Sequence, residues 1–213
     1  MDLDKIIYNI AVWAIPVLFA ITVHEVAHGW VANKLGDGTA RMLGRLTLNP
    51  FKHIDPIGTV LVPLVLLISP VPFVFGWAKP VPVDTRNFKN PRRDMAIVAI
   101  AGPLSNIIMA IIWVIILNIG QSIITDPSIA KGFQAMAYAG VLINLVLFAF
   151  NLMPIPPLDG GRVLSGLVPP KISNLLDRIE PYGFFIVIGL VYMGAFQPII
   201  LPVFDTFARI FGL

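Results

Sequence analysis

The sequence contains no cysteine. This absence excludes disulfide bonds and thiolate metal ligands, so a bound metal would depend on histidine, aspartate or glutamate. Charged residues are also scarce: they make up 13% of the 213 residues, about half the share found in a typical soluble domain. Mean hydropathy is +0.84, and several apolar stretches reach the roughly 20 residues that cross a bilayer. The composition therefore predicts an integral membrane protein.

Positive charge is only slightly in excess. The formal net charge of +3 does not indicate nucleic-acid binding, because cationic loops on one face of a membrane account for it more simply. We expect the lipid bilayer, and no nucleic acid, among the partners. The oligomeric state is left open, because no pattern in the sequence bears on it.

The apolar segments predict an all-α polytopic membrane protein with about four to five transmembrane helices. One further apolar segment, residues 59–76, contains Pro63, Pro70 and Pro72. These prolines interrupt a helix, which favours a re-entrant segment covered by protein over a full crossing. The clearest spans are residues 6–31, 95–119, 134–152 and 182–201.

Two polar stretches at the membrane surface predict short β structure. Residues 37–58 contain several Gly and Thr residues, which favours a β-hairpin. Residues 76–84, GWAKPVPVD, contain Pro80 and Pro82, which exclude helix and favour an extended edge strand. We therefore expect a hairpin or an edge strand beside the helices.

Two of the 3 histidines lie in one motif within the first apolar segment. His24 and His28, in HEVAH, are four residues apart, so a helix places them on one face about 6 Å apart. This spacing allows both imidazoles to bind one Zn²⁺. Glu25 lies beside them, where it can take a proton from a water molecule at the metal. The alternative is a chance match, in which the histidines bond to neighbouring helices.

A catalytic zinc ion takes three protein ligands and keeps one position open. No histidine follows His28 within two helical turns, and Glu180 is the only other glutamate besides Glu25. Asp159 is the strongest acidic candidate, because it directly follows an apolar span and the prolines of MPIPPL force extended chain before it. The alternative is that Asp159 caps a short helix. His53 and Asp55 are weaker candidates, since their loop is polar enough to solvate them.

Three motifs in a fixed order make the sequence similar to a known family. HEVAH in the first span, AGPLSN at the start of a later one and NLMPIPPLDGG at the end of the next resemble the site-2 proteases, which are intramembrane zinc metalloproteases. The resemblance covers about residues 15–165 and is to the small members without a PDZ domain. It implies that Zn²⁺ is bound by His24, His28 and Asp159, and that Glu25 is the catalytic base.

Three asparagines lie in or beside the apolar spans. The resemblance implies that Asn151 helps to hold the substrate or the developing oxyanion. For Asn106 two interpretations stay open, a substrate-binding role and a hydrogen bond between helices. For Asn144 we favour the hydrogen bond between helices, an interaction worth about 0.6 kcal/mol on average.

The shared metal constrains the topology. HEVAH and PLDGG each lie near the C-terminal end of a span, so those two helices must run in the same direction to reach one ion. An odd number of crossings then separates them, which is a second reason to treat residues 59–76 as re-entrant. Three loops then share one side and hold all of the 15 Lys and Arg residues except Lys5, Lys131 and Arg209. The positive-inside rule makes that side cytoplasmic. The three loops are residues 34–57, 77–94 and 160–182.

These observations predict a zinc metalloendopeptidase that hydrolyses peptide bonds within or near transmembrane segments. Its substrate would be a transmembrane protein or peptide, in regulated intramembrane proteolysis or in clearance of membrane-bound peptides. Residues 76–84 could pair with the unwound substrate as in β-augmentation, although Pro80 and Pro82 limit the segment to alternate donors. The rival hypothesis is a transporter or metal-handling channel. Glu25 argues against it, because a transport site needs no base beside the metal.

No internal repeat, low-complexity tract or appended soluble domain is visible in the sequence. We therefore expect one intramembrane metalloprotease domain over residues 1–213. Its catalytic core lies at about residues 6–165, and a C-terminal helix and tail follow at 182–213. We expect the protein in the prokaryotic cell membrane, with the active site toward the cytoplasmic side.

Overall fold

The computed structural model describes residues 3–69 and 76–213. Within these ranges the protein consists of helices and connecting loops, and no β-strand is present. Short 3₁₀ turns cover Pro50–Lys52 and Thr85–Asn87, and a π-helical turn covers Pro56–Leu61. The α-helices are α1 (Leu3–Lys34), α2 (Thr39–Met42), α3 (Val62–Ile68), α4 (Pro91–Ile123), α5 (Pro127–Asn151), α6 (Asp159–Leu167), α7 (Pro170–Tyr192) and α8 (Gln197–Phe211).

Three of these helices are long and apolar enough to cross a membrane: α1 over Ile7–Lys34, α4 and α5. The pair α7 and α8 meets the same criteria when taken together, but it is bent by 72° and forms either a broken span or a re-entrant loop. The described residues thus contain three to four candidate spans, whereas the sequence predicts four to five. An all-α membrane fold is confirmed.

The C-terminal part of α1 packs against the N-terminal part of α4. His28 Nδ1 lies 2.7 Å from the carbonyl oxygen of Val98. Two turns earlier in α1, the carbonyl oxygen of Ala20 lies 3.3 Å from Nδ2 of Asn106. Residue numbers rise along α4 as they fall along α1, so the two helices are antiparallel.

Helix α5 is in turn antiparallel to α4. Asn144 bonds to Asn106, whereas Gly120, near the end of α4, lies against the ring of Phe133 near the start of α5. Two antiparallel steps make α1 and α5 parallel. The helices that carry HEVAH and precede PLDGG therefore run in the same direction, as the shared-metal argument requires.

An apolar core fills the end of the bundle opposite HEVAH. Side chains from α4 and α5 meet there, and Phe207 of α8 closes the cluster. Burial of these side chains packs the helices against each other by van der Waals contact, the main attraction available between helices in lipid. The buried members are Ala110, Trp113, Val114, Leu117, Ala137, Val141, Leu145 and Phe207.

The apolar segment after α2 is short. The π-helical turn and α3 together cover Pro56–Ile68, which at 1.5 Å per residue is about 20 Å. The hydrocarbon core of a bilayer is about 30 Å thick, so this helix alone does not cross it. Residues 70–75 of the predicted re-entrant segment lie outside the described residues.

The predicted β-hairpin over residues 37–58 is wrong. This stretch forms α2 and a series of turns instead. Asp37 accepts hydrogen bonds from the backbone and hydroxyl of Thr39, which starts a helical turn where the Gly and Thr content suggested a hairpin. Gly and Thr favour either outcome, so the composition alone did not distinguish them.

The predicted edge strand is also wrong; we call residues 76–84 the strap. Its N–H groups bond irregularly to different elements rather than to one neighbouring strand: Trp77 donates to the carbonyl of Gly58, and Lys79 to that of His53. Pro80 and Pro82 have no N–H to extend a ladder. The strap is therefore a non-strand segment fixed to the 53–59 loop.

Hydrogen bonds join the three cationic loops at one end of the bundle. The backbone N–H of Asp84 and the amide of Asn87 both donate to the carboxylate of Asp37, and Arg92 donates to Asn174. Desolvation acts to raise the pKa of Asp37, but the hydrogen bonds from Thr39, Asn87 and Asp84 outweigh it and hold that pKa below its ordinary value. Residues 34–57, 77–94 and 160–182 thus lie on the same side of the protein.

Candidate metal centre

His24, His28 and Asp159 come together where α1 and the start of α6 meet α4. The Nε2 atoms of the two histidines are 3.0 Å apart. Oδ2 of Asp159 lies 3.1 Å from Nε2 of His24 and 3.3 Å from Nε2 of His28. All three residues are buried. Among the described residues this is the one group of three potential ligands found within metal-binding distance of one another.

The spacing of these three atoms fits zinc. With bonds of about 2.0–2.1 Å, neighbouring ligands of a tetrahedral ion are about 3.3–3.4 Å apart, close to the separations seen here. His28 Nδ1 donates to the carbonyl of Val98, which can only accept. Nε2 of the neutral ring therefore carries a lone pair. It faces a buried carboxylate oxygen, Oδ2 of Asp159, that has no hydrogen-bond donor, an arrangement that a cation stabilises.

Gly102, in the AGPLSN motif, makes room for both imidazoles. A Cβ atom at this position would collide with His28 Nε2 and would lie 2.6 Å from Cε1 of His24. Only glycine allows α4 to approach α1 this closely while both rings keep their positions. The AGPLSN motif in the sequence does not by itself reveal a role for this residue. A glycine within an apolar span is a weak signal, because it also occurs wherever helices pack closely.

Asp159 reaches the cluster from a tight turn. It is the first residue of α6, and the N-cap position belongs to Leu158, without a side-chain capping bond. The structure therefore does not support the alternative in which Asp159 only caps this helix. A Cβ on Gly161 would lie 2.6 Å from the carbonyl carbon of Ile155, so the double glycine lets the MPIPPL turn pack directly on α6. The helix N-terminus also favours a carboxylate there.

Glu25 is half-buried and lies outside the three-residue cluster. Its Oε2 accepts a hydrogen bond of 2.7 Å from the backbone N–H of Val81 in the strap. One carboxylate oxygen is thus fixed by the backbone. The other oxygen, Oε1, can accept a hydrogen bond from a water molecule or a substrate.

The two asparagines predicted to touch substrate have different surroundings. Asn151 is half-buried, and its Nδ2 donates to the carbonyl of Leu147 one turn earlier. Asn106 is 0% exposed, and its amide bonds to His24 on one side and to Asn144 on the other. In this environment Asn106 is placed to support His24 rather than to contact a substrate.

The weaker candidates bond within their own loop. Nε2 of His53 lies 2.9 Å from the carbonyl oxygen of Thr47. Asp55 accepts from the backbone N–H groups of Ile57 and Gly58 and so caps the π-helical turn. Neither residue is part of the metal cluster.

Comparisons with known proteins agree with the chemistry of this cluster. The sequence profile of peptidase family M50 matches residues 119–193. The chain is 42% identical to "Putative zinc metalloprotease YwhC" of Bacillus subtilis, over 85% of this chain and 81% of that protein. It is 30% identical to Rip2 of Mycolicibacterium smegmatis, which has the same description, over 84% of this chain and 65% of that protein.

A more distant relative is "Zinc metalloprotease MJ0392" of Methanocaldococcus jannaschii, 28% identical over 80% of this chain. The chain spans 39% of the length of that protein. No solved structure matches the chain. With the identity to YwhC extending over most of both chains, the sequence belongs to peptidase family M50, the site-2 protease family, and the protein is a membrane zinc metalloprotease.

Proposed function

We propose that the protein is an intramembrane endopeptidase that cleaves other membrane proteins within or near their transmembrane segments. His24, His28 and Asp159 hold the zinc ion, and Glu25 is the catalytic base. The observation that carries the proposal is the convergence of three buried ligand atoms within 3.3 Å of one another. Two of them belong to α1, a helix long and apolar enough to cross the bilayer. Family membership sets aside the rival hypothesis of a transporter.

Zinc held by these residues would supply Lewis-acid chemistry, which polarises a peptide carbonyl and lowers the pKa of a water molecule. Glu25 removes a proton from that water and later delivers it to the leaving amine. The Val81 N–H holds Oε2 of Glu25, so the carboxylate is oriented before substrate arrives. Asn151 uses one of its two N–H bonds on Leu147, and its second N–H is the group we propose for the substrate carbonyl.

The depth of the site favours membrane-embedded substrates. His28 lies six residues before Lys34, the last residue of α1, which is about 9 Å along a helix. We propose that the end carrying the cationic loops faces the cytoplasm of a prokaryotic cell. The site then lies just below the cytoplasmic surface, where a substrate helix can unwind and water can enter.

The strap limits how an unwound substrate can pair with the protein. In extended chain, alternate residues direct their backbone groups to opposite sides. The N–H groups of Trp77 and Lys79 donate to the backbone carbonyls of Gly58 and His53, respectively. The N–H group of Val81 donates to the carboxylate of Glu25. The opposite side carries Ala78, which has an N–H group, and Pro80 and Pro82, which offer only carbonyl acceptors. A substrate paired with the two prolines would donate its own N–H groups to the strap.

The proposal is tested with Glu25→Gln, which keeps the shape of the side chain and removes the base. We expect wild-type zinc content and no cleavage, measured by metal analysis of detergent-purified protein and by proteomic comparison of membrane fractions. Glu180→Gln is the matched control, because Glu180 is the other glutamate and pairs with Arg162. Proteolysis retained in Glu25→Gln would overturn the assignment of the base.

A further inference from the structure

A chain of buried amides connects α5 to the metal centre. Asn144 Nδ2 lies 2.8 Å from the carbonyl oxygen of Gly140, and Asn144 Oδ1 lies 2.9 Å from Asn106 Nδ2. Asn106 Oδ1 lies 2.6 Å from His24 Nδ1. We propose that these two asparagines form a one-way hydrogen-bond relay that fixes the tautomer and orientation of His24 for zinc. The inference rests on the proposed function, in which His24 is a ligand.

The direction of the relay follows from its first member. The Gly140 carbonyl can only accept, so the group of Asn144 that faces it must be the NH₂. Oδ1 of Asn144 then faces Asn106 and requires a donor, which must be Nδ2 of Asn106. The Ala20 carbonyl, 3.3 Å from the same nitrogen, independently requires the same amide orientation.

The last step sets the state of the histidine. Oδ1 of Asn106 faces Nδ1 of His24 and can only accept, so Nδ1 carries the hydrogen. In the neutral ring Nε2 then holds a lone pair that points at His28 and Asp159. A reversed amide at either asparagine would set two acceptors or two donors against each other, a costly arrangement in a site with 0% exposure. A metal-binding histidine is commonly fixed in this way by its second nitrogen.

The two histidines therefore depend on different supports. His28 donates directly to a backbone carbonyl, that of Val98, which no side-chain substitution removes. His24 depends on two side chains from two other helices. Asn144, which does not touch the metal cluster, is on this basis a positioning residue rather than only a hydrogen bond between α4 and α5.

The first experiment compares Asn144→Ala with Asn118→Ala. Asn118 also bonds a carbonyl one turn back in its helix, that of Val114, but its bond leads to no ligand. Zinc affinity is measured by chelator competition on the monodisperse, detergent-purified full chain. We expect zinc binding about 10-fold weaker in Asn144→Ala, in the range typical for outer contacts of metal ligands, and unchanged in Asn118→Ala. With Co²⁺ in place of zinc, the d–d absorption bands should shift only in Asn144→Ala.

A second pair of variants separates positioning from stability. Asp in place of Asn106 removes the donor to Asn144 Oδ1 but keeps an acceptor for the His24 Nδ1–H. Leu has the same number of heavy atoms and neither group. A purely structural role predicts that Asn106→Asp, which buries a charge, is the more damaging change in every measurement. The relay predicts the opposite order for zinc affinity. Asn106→Asp should bind zinc within about 3-fold of wild type, and Asn106→Leu at least about 10-fold more weakly. This order should hold even if Asn106→Leu is the more heat-stable variant.

The outcomes are distinct. Unchanged zinc affinity and Co²⁺ spectrum in Asn144→Ala, or weaker zinc binding in Asn106→Asp than in Asn106→Leu, would overturn the relay and leave the proposed function standing. The proposed function fails separately, if wild-type protein and His24→Ala contain the same amount of zinc. If Asn144→Ala is not monodisperse, the order of the two Asn106 variants decides the question.

Discussion

The α1–α4–α5 bundle holds polar contacts at one end and apolar contacts at the other. At the HEVAH end, two histidines and two asparagines bond in fixed directions within hydrogen-bonding distance. At the opposite end, Trp113, Leu117, Val141 and their neighbours touch only by packing. The same helices form both ends, so the difference lies in the side chains and not in the fold.

The two ends should respond differently to substitution. An apolar contact is non-directional, and its loss is spread over many weak contacts. A buried polar contact is directional, and the loss of one partner leaves another group unsatisfied. We therefore expect substitutions at the HEVAH end to remove zinc with modest effects on the fold, and substitutions at the apolar end to reduce stability while zinc stays bound.

The largest effect is expected for Gly102→Ala. The added methyl group collides with His28 and presses on His24, so both ligands must move at once. We expect zinc affinity to fall by roughly 100-fold or more, beyond the 10–100-fold typical of losing one outer contact. Zinc titration of the purified variant measures it. Gly132→Ala is the control, since a Cβ at that position meets nothing within 4 Å.

Asp159→Ala should also lower zinc occupancy, because it removes one of three proposed ligands. Asp126→Ala is a matched control: Asp126 also lies at the start of a helix, where it caps α5 through Ser128 and Ile129. Its loss should reduce stability by about 1 kcal/mol with full zinc occupancy. Metal analysis and thermal unfolding of both variants separate the two roles. Full occupancy in Asp159→Ala would contradict the assignment of this ligand.

The parts of the site that sequence could predict depend on local geometry. His24 and His28 follow from the four-residue repeat of a helix. Asp159 followed from its place after a span and a proline turn, together with the need for a third ligand. Parallel α1 and α5 followed from requiring both motifs to meet at one ion.

The parts that sequence could not predict depend on contacts between distant segments. The need for glycine at position 102 arises only where α4 approaches two rings of α1. The direction of the Asn144 amide depends on which groups face it across the bundle. The hairpin prediction for residues 37–58 failed because Gly and Thr favour a helical turn and a hairpin alike once Asp37 supplies the hydrogen bonds.

At the apolar end, Leu117→Ala tests whether a lost packing contact reduces stability without affecting zinc binding. Leu117 is 2% exposed, and its truncation leaves a cavity among α4 and α5. We expect a loss of about 2 kcal/mol, the low end for such changes, because lipid tails solvate apolar groups as well as the core does. Thermal unfolding in detergent measures the loss, and zinc content should stay at the wild-type level. Loss of zinc from a folded Leu117→Ala protein would show that the two ends are coupled.

The smallest perturbation tests which end of the bundle faces the cytoplasm. Single cysteines suit the purpose because the native chain contains none. Lys89 is exposed in the loop that follows the strap, and Ser128 is exposed in the first turn of α5. Lys89→Cys is preferable to a cysteine at Asn87, whose amide bonds to Asp37.

In intact cells, an impermeant thiol reagent added outside should label Ser128→Cys and leave Lys89→Cys unlabelled. After the cells are opened, both should react, which controls for accessibility. Neither substitution touches the metal centre, so cleavage activity should remain at the wild-type level. External labelling of Lys89→Cys alone would place the cationic loops and the metal centre at the outer surface, contrary to the positive-inside rule. Labelling of both positions from outside would put the two ends of α4 on one side of the membrane. Such a result is incompatible with α4 as a span. It would also contradict the topology in which an odd number of crossings separates HEVAH from PLDGG.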